Sequence, residues 1–551
     1  MSVGRRTSIV VCAIALGLPA SAGAQVPGAG DPVRATIAGW VAQERPPAAL
    51  TGLAKPNAFQ WSLTRRFYAQ RDFAAAWRSD GTGAEVGSLV GRLGRAAEQG
   101  LDSADYPVAQ IRALAASPSD PDSLALLDLA ATVAFFRYAA DLSLGRVVPA
   151  AIDTMWAAAD RPLDLAARLA EALDLGRVDA ALGELAPPQR EAALLRAALA
   201  RYRAIAALGG WTAVPGMEPL SLGATGPRVG LLRRRLEITG DLAPGDGWGA
   251  EIFDSALDAG VRLAQARHGL TADGVAGPAT LAALNVPVTA RIRQLELNLE
   301  RWRWAPRDEG ERYLSVNSAD YSLEVVDSER SVLTSRIVAG RADWPTPIVA
   351  GVLTEVTFNP RWSIPRSITV KEILPILQRD PDYLLREGIH VTDTTEEATE
   401  LDPALIAWDS VTAGSFPYRL WQEPGPRNPL GRIRFGIRNR FGVALHDTPY
   451  PQTFGVSTRA FSHGCVRVEA AESLAVYVLR GLPGWSADSV CAILGQESER
   501  YLAVADPIPV LIGYWTAWMG SDGEVQFRPD VYRWDAELDT ALRRRTRSGR
   551  R

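Results

Sequence analysis

Cys465 stands in FSHGCVRVE, two positions after His463 and nineteen after His446, in a 551-residue chain that holds only four histidines and three cysteines. Chance seldom gathers a thiol and two imidazoles so closely when both types are this scarce, which argues against a merely structural grouping. Zinc would need a third or fourth ligand at CxxC or HExxH spacing, and neither pattern is present, so no metal is expected. Nucleophilic catalysis fits these residues best. An imidazole beside a thiol takes its proton and leaves a reactive thiolate as an ion pair. His446, which comes from a separate strand, is the expected base, and His463, alongside the thiol, is a supporting residue of the loop with Ser462. Gly464 lets a carbonyl substrate approach the backbone, where N–H groups can hold the developing oxyanion. If residues 462–467 are extended, His463, Cys465 and Arg467 share one face and Gly464 and Val466 the other. Arg467 then serves the structure of the site or a substrate carboxylate.

The elements that must position these groups follow from periodicity. Residues 442–445 read as a strand leading into His446, and Cys465 lies in a turn ahead of the helix EAAESLAVYVLRGL. From Arg312 onward the apolar residues alternate, predicting strands near 314–316, 321–325, 332–338, 352–358 and 433–437 of a mostly β unit spanning 291–505. An insertion at about 363–420, with the helix ITVKEILPILQRD, interrupts it as a capping element. Residues 46–214 carry three- and four-residue apolar spacing and read as an Ala/Leu-rich helical scaffold. Residues 215–290 form a compact three-helix module in which Val229, Leu232 and Leu236 face Phe253, Leu257 and Val261; His268 is expected on its surface. The fold class is therefore multidomain α+β. A C-terminal extension (506–540), packing on the scaffold or the catalytic unit, and a disordered basic tail (541–551) complete the chain.

Composition narrows the compartment and the partners. A net charge of -4 with 22% charged residues gives no nucleic-acid signature. Residues 1–24 have the charged start, short apolar run and small-residue end of a signal peptide, and 25–45 read as a flexible lead-in. Export to the periplasm follows, with no transmembrane span after cleavage. The apolar stretch LALLDLAATVAFF contains Asp128 and is flanked by Arg137 and Asp141, so it reads as a buried helix. Of the two cysteines beyond the leader, Cys491 sits in an apolar run of strand character and is expected as a buried small hydrophobe, while export would permit a disulfide between the two.

Two sets of motifs resemble known families. Leu222, Gly223, Gly226, Val229, Leu232, Leu236, Val261, Gln265, Gly269, Leu270, Asp273, Gly274, Gly277 and Thr280 match the type 1 peptidoglycan-binding pattern, with departures at Arg233 and Leu263. Ser462, His463, Gly464, Cys465, Val466 and Arg467, with His446 upstream, resemble the motif of the L,D-transpeptidase (YkuD) family. The strings NLERWRW, TPIVAGVL, FNPRWSIPRSI, PGPRNPLGRIRF and FRPDVY are similar to its large periplasmic YcbB-like subgroup. The resemblance implies 3,3 cross-linking of peptidoglycan. Cys465 attacks the carbonyl between the L-centre of meso-diaminopimelate and the terminal D-alanine of a tetrapeptide stem, and a diaminopimelate amine of a second stem takes the acyl group. It further implies acylation by carbapenems, no cofactor, stem peptides as substrates, and a D,D-carboxypeptidase and a glycan synthase as working partners. Two alternatives stay open at this level: a hydrolase of the same stems (L,D-carboxypeptidase or endopeptidase), and a non-catalytic wall-binding protein.

Overall fold

The computed structural model describes residues 31–77, 83–116, 120–159, 163–245 and 250–550, with side chains described to Arg545. The expected signal peptide lies outside the described residues.

The catalytic unit is built from nine strands: β1 (Arg312–Asn317), β2 (Ser322–Asp327), β3 (Arg330–Gly340), β4 (Val349–Phe358), β5 (Ile433–Arg438), β6 (Leu445–His446), β7 (Ala460–Ser462), β8 (Val466–Val468) and β9 (Arg500–Gly513). Their order is β7-β3-β8-β6-β5-β4-β9-β1-β2, and β2 pairs again with β3, so eight strands close on themselves and leave β7 at the side. Closure removes exposed strand edges and forces an inside and an outside. Leu314, Val316, Leu323, Val325, Ile337, Val356, Phe435, Leu445, Val466 and Val468 fill the inside, joined by Leu474 and Val478 of the helix Ala471–Leu479. Because strand side chains alternate, His446 and Arg467 are set on the outer wall. The expected strand at 442–445 is shorter than its apolar run suggests. Asn439 bonds the Ile437 and Val443 carbonyls, which makes the preceding residues a turn.

The insertion is a folded unit rather than a loop. Its strands Trp362–Ser363, Arg419–Gln422, Ile389–Thr392 and Glu400–Leu401 form a separate sheet, packed over a core of Ile373, Leu377, Leu384, Val391, Trp408, Phe416 and Leu420. Its first helical stretch passes through a π-helical turn at Thr369–Ile373.

The scaffold centres on the helix Pro121–Ser143. That helix is long and apolar enough to cross a bilayer, but 72% of its apolar window is buried. Asp128 at its heart accepts hydrogen bonds from Tyr68 Oη at 2.6 Å and from the backbone of Ala76 and Trp77, both at 2.9 Å. The three-helix module (Pro227–Thr239, Ser255–Arg267, Pro278–Leu284) buries the apolar faces expected of it. Its departures from the family pattern have local reasons: Arg233 pairs with Asp254 at 2.8 Å, and Leu263 points outward.

Five expectations are corrected. The lead-in contains the helix Pro32–Val41, whose Ile37 and Val41 are buried in the scaffold. His268 is buried, not on the surface; its Nδ1 lies 2.7 Å from the Ala264 carbonyl and its ring stacks on Phe527. Cys491 is helical and exposed, because Ser486 caps the helix Ala487–Leu494 and turns Val490 and Ile493 inward instead; both cysteines are free thiols. The catalytic unit does not end at 505, since β9 runs through that point between β4 and β1. The basic tail continues the helix Trp534–Arg550, where Leu538 and Leu542 are buried and Arg545 pairs with Asp141 at 2.6 Å.

Candidate active site

Sequence neighbours do not build this site; strand pairing does. β6 and β8 run parallel, with Leu445 beside Val466 and His446 beside Arg467. On its other side His446 faces Arg434 of β5, and Arg467 in turn faces Val338 of β3. The imidazole is therefore flanked across the wall by two guanidinium-bearing residues, with Cys465 two positions before Arg467 at the bend entering β8.

Residues 463–465 form a bend and are not extended, which corrects the expectation of one shared face. Gly464 adopts φ +103°, in the range that side chains disfavour, and an added Cβ would approach the Pro345 carbonyl oxygen at 3.4 Å. The turn separates His463 from the thiol and aims it at the cap. His463 Nε2 lies 2.8 Å from Glu372 Oε1, and its ring meets Trp344 edge-on at 5.2 Å.

Polar ties fix the bend. Ser462 Oγ donates to the Cys465 carbonyl and accepts the Gly464 N–H at 3.2 Å. Thr346 Oγ1 donates to the Gly464 carbonyl at 3.0 Å and accepts the Gly340 N–H at 2.9 Å, while Tyr532 Oη donates to the Gly340 carbonyl at 2.6 Å. The Gly464 N–H is engaged by Ser462, whereas the Cys465 N–H makes no hydrogen bond among the described residues and is a donor open to an oxyanion. Thr346 and Tyr532 lie in TPIVAGVL and FRPDVY, where they held no role at the sequence level. Nothing in their spacing could have placed them beneath Gly464.

The protonation states follow from burial. His446 is buried, and desolvation pushes its pKa down to about 4, helped by Arg467 and Arg434 and opposed by the Asp447 and Leu430 backbones. A neutral ring whose Nδ1 lies 2.6 Å from the Asp447 carbonyl carries its proton on that nitrogen. The basic lone pair is then on Nε2. Burial also pushes the Cys465 thiol up, outweighing the Ala444 backbone and the charges of Arg434 and Arg467. Among the described residues no hydrogen bond joins the thiol to either imidazole. Both shifts oppose a resting thiolate–imidazolium pair and favour a neutral imidazole beside a protonated thiol. Alkylation of Cys465 by iodoacetamide should therefore climb about tenfold per pH unit between pH 6 and 8, following the thiolate fraction. Peptide mapping separates Cys465 from Cys491, and a reactivity plateau beginning near pH 5 would restore the ion pair.

The cap reaches this bend through Glu372, which accepts from both His463 and Arg341. Because Ser363 pairs with Trp421, the ends of the insertion lie side by side, and a short Gly/Ser linker can replace 364–420. That deletion should leave the melting of the barrel within a few degrees and lower turnover at least about tenfold, as loss of a closing element does. Unchanged turnover would deny the cap a role.

Comparison with known proteins adds the following. Residues 311–485 match the model of the L,D-transpeptidase catalytic domain, 62–199 that of a scaffold domain, and 225–284 that described as "Putative peptidoglycan binding domain". A relative in Haemophilus influenzae named "Putative L,D-transpeptidase" is 30% identical over 249 residues, 45% of this chain and 49% of that protein; the chain thus spans about half the length of the curated relative it matches. A crystal structure of the L,D-transpeptidase from Xylanimonas cellulosilytica aligns over 54% of this chain and 99% of that one, with 16% identity and a TM-score of 0.17. A fused Zn-dependent amidase/peptidase/peptidoglycan-binding domain-containing protein from Clostridium acetobutylicum aligns over 25% of this chain and 70% of that one, with 19% identity and a TM-score of 0.12.

Proposed function

Given a chain that carries an L,D-transpeptidase (YkuD) catalytic domain and a peptidoglycan-binding domain, we propose that it forms 3,3 cross-links between peptidoglycan stems through an acyl-enzyme on Cys465. The observation that supports this most directly is the parallel pairing that sets His446 beside Arg467, on the strand that the Cys465 bend enters, with a neutral imidazole available as base.

In the first step His446 Nε2 takes the thiol proton as Sγ attacks the carbonyl that joins the L-centre of diaminopimelate to D-alanine. The Cys465 N–H holds the oxyanion. Collapse breaks the amide bond, and His446 returns the proton to the departing D-alanine amine, leaving a thioester. In the second step a diaminopimelate side-chain amine attacks the thioester and gives a proton to His446. The amide forms, and the proton passes to the leaving thiolate. One D-alanine leaves per cross-link. Neutral starting groups suit both steps, because a base must begin unprotonated and a neutral pair avoids carrying charge between turnovers. The peptidoglycan-binding module and the cap favour this reading over hydrolysis. The periplasm, where the stems lie, is the compartment it requires.

The purified chain with tetrapeptide stems should yield a cross-linked product lighter by one D-alanine than the two stems together. Tripeptide and free D-alanine as sole products would replace the transpeptidase with a hydrolase.

A further inference from the structure

We propose that Lys371, carried on the cap, binds a carboxylate of the substrate as it enters the catalytic bend. Only two of the chain's 59 basic residues are lysines, Lys55 and Lys371. Lysine offers a compact point charge, whereas arginine would fork onto the adjacent carboxylate.

Its placement is specific. Thr369–Ile373 is the one π-helical turn among the described residues, and such turns recur at functional sites. The turn sets two successive side chains against the bend. Lys371 Nζ lies 4.3 Å from the centre of the Trp344 ring, and Glu372 meets His463. The Trp344 loop itself packs on Gly464 through Pro345 and Thr346. Lys371 is thus one ring removed from His463, which stands two residues before the thiol.

The charges do not close within the protein. Glu372 is taken by Arg341 and His463, and Asp343 by Arg341 at 2.8 Å. Arg434 is satisfied by Glu355 at 2.8 Å. Lys371 and Arg467, by contrast, have no ion pair or hydrogen bond among the described residues, and Arg467 Nε is buried without a partner. Lys371 is exposed and Arg467 stands two residues from the thiol, so an approaching carboxylate meets two cations that no acidic group holds among the described residues, where a neutral group gains nothing from them. The Trp344 face holds the ammonium ready without neutralising it. That the anion is a stem carboxylate rests on the function proposed above; the preference for negative charge does not.

The test uses two reagents that differ only in a carboxylate against a carboxamide. Cys465 in the full chain is alkylated by iodoacetate and by iodoacetamide, with the exposed Cys491 as internal reference. Lys371→Met should slow iodoacetate about five- to tenfold at Cys465 and leave iodoacetamide within about twofold, and Lys371→Arg, whose guanidinium forks onto the adjacent carboxylate, should restore only part of the loss. A parallel fall with both reagents means the cap has been displaced and overturns the proposal, as does an unchanged ratio. In turnover, Lys371→Met should raise KM for a donor with free carboxylates and leave a carboxamide donor unaffected; a loss confined to kcat overturns the assignment. Absence of D-alanine release from the wild type would count against the transpeptidase reading alone, since the alkylation ratio would still report the charge preference.

Discussion

Cys465→Ser abolishes D-alanine release, with turnover expected to fall at least about 10³-fold, because the replacement hydroxyl is a far poorer nucleophile at neutral pH and no ion pair is present to activate it. The fold should survive. The side chain is only partly buried, the ties from Ser462 and Thr346 grip the backbone at 464–465, and serine nearly matches the thiol in size. Intact-mass measurement after exposure to a carbapenem separates the two forms: the wild type gains one covalent adduct and the variant none. An active variant, or a wild type that never forms an adduct, would remove the catalytic role of this residue and leave a wall-binding protein.

His446→Gln is expected to lower the acylation rate about 10²- to 10⁴-fold near neutral pH with little change in KM. The pH dependence makes this specific. With His446 as the proposed base, neutral above its pKa of about 4, kcat/KM for D-alanine release should stay level from about pH 5 to 8. Without the base, the reaction depends on spontaneous thiolate, and the variant should recover about tenfold per pH unit. A variant that remains level would make another group the base. Stability supplies an independent reading. The folded ring titrates near 4 and an unfolded histidine near 6.5. The unfolded chain therefore binds the extra proton between those values, and this group's contribution is complete above pH 6.5 and lost as pH falls. At about 1.4 kcal/mol per unit the loss reaches about 3 kcal/mol by pH 4. His268, buried and depressed in the same direction, remains in the variant. The difference between the two melting curves against pH thus isolates His446.

Much of the fold was legible because burial imposes period. The alternation of Leu314 with Val316 and of Leu323 with Val325 marks strands whose one face fills the barrel, and Val229, Leu232 and Leu236 mark a helix face. The errors share a cause. Residues 32–41, His268 and residues 534–545 look polar or featureless alone, yet each is buried by a partner far along the chain, as Phe527 covers His268 and Asp141 receives Arg545. Around Cys491 the short apolar run suits period two and period 3.6 alike, and the Ser486 cap selects the helix.

For the site the division is similar. The reactive groups are readable from residue type alone: a scarce thiol, two scarce imidazoles, a glycine and an arginine in one short string. Their relative placement comes from the fold. Parallel pairing of β6 with β8 brings His446 beside Arg467, the positive φ at Gly464 turns His463 toward Glu372 and away from the thiol, and burial favours the neutral forms of the His446 ring and the Cys465 thiol. Pairing, turn geometry and desolvation depend on contacts between residues far apart in the chain, such as Thr346 with Gly464 and Tyr532 with Gly340, and local spacing carries no record of them.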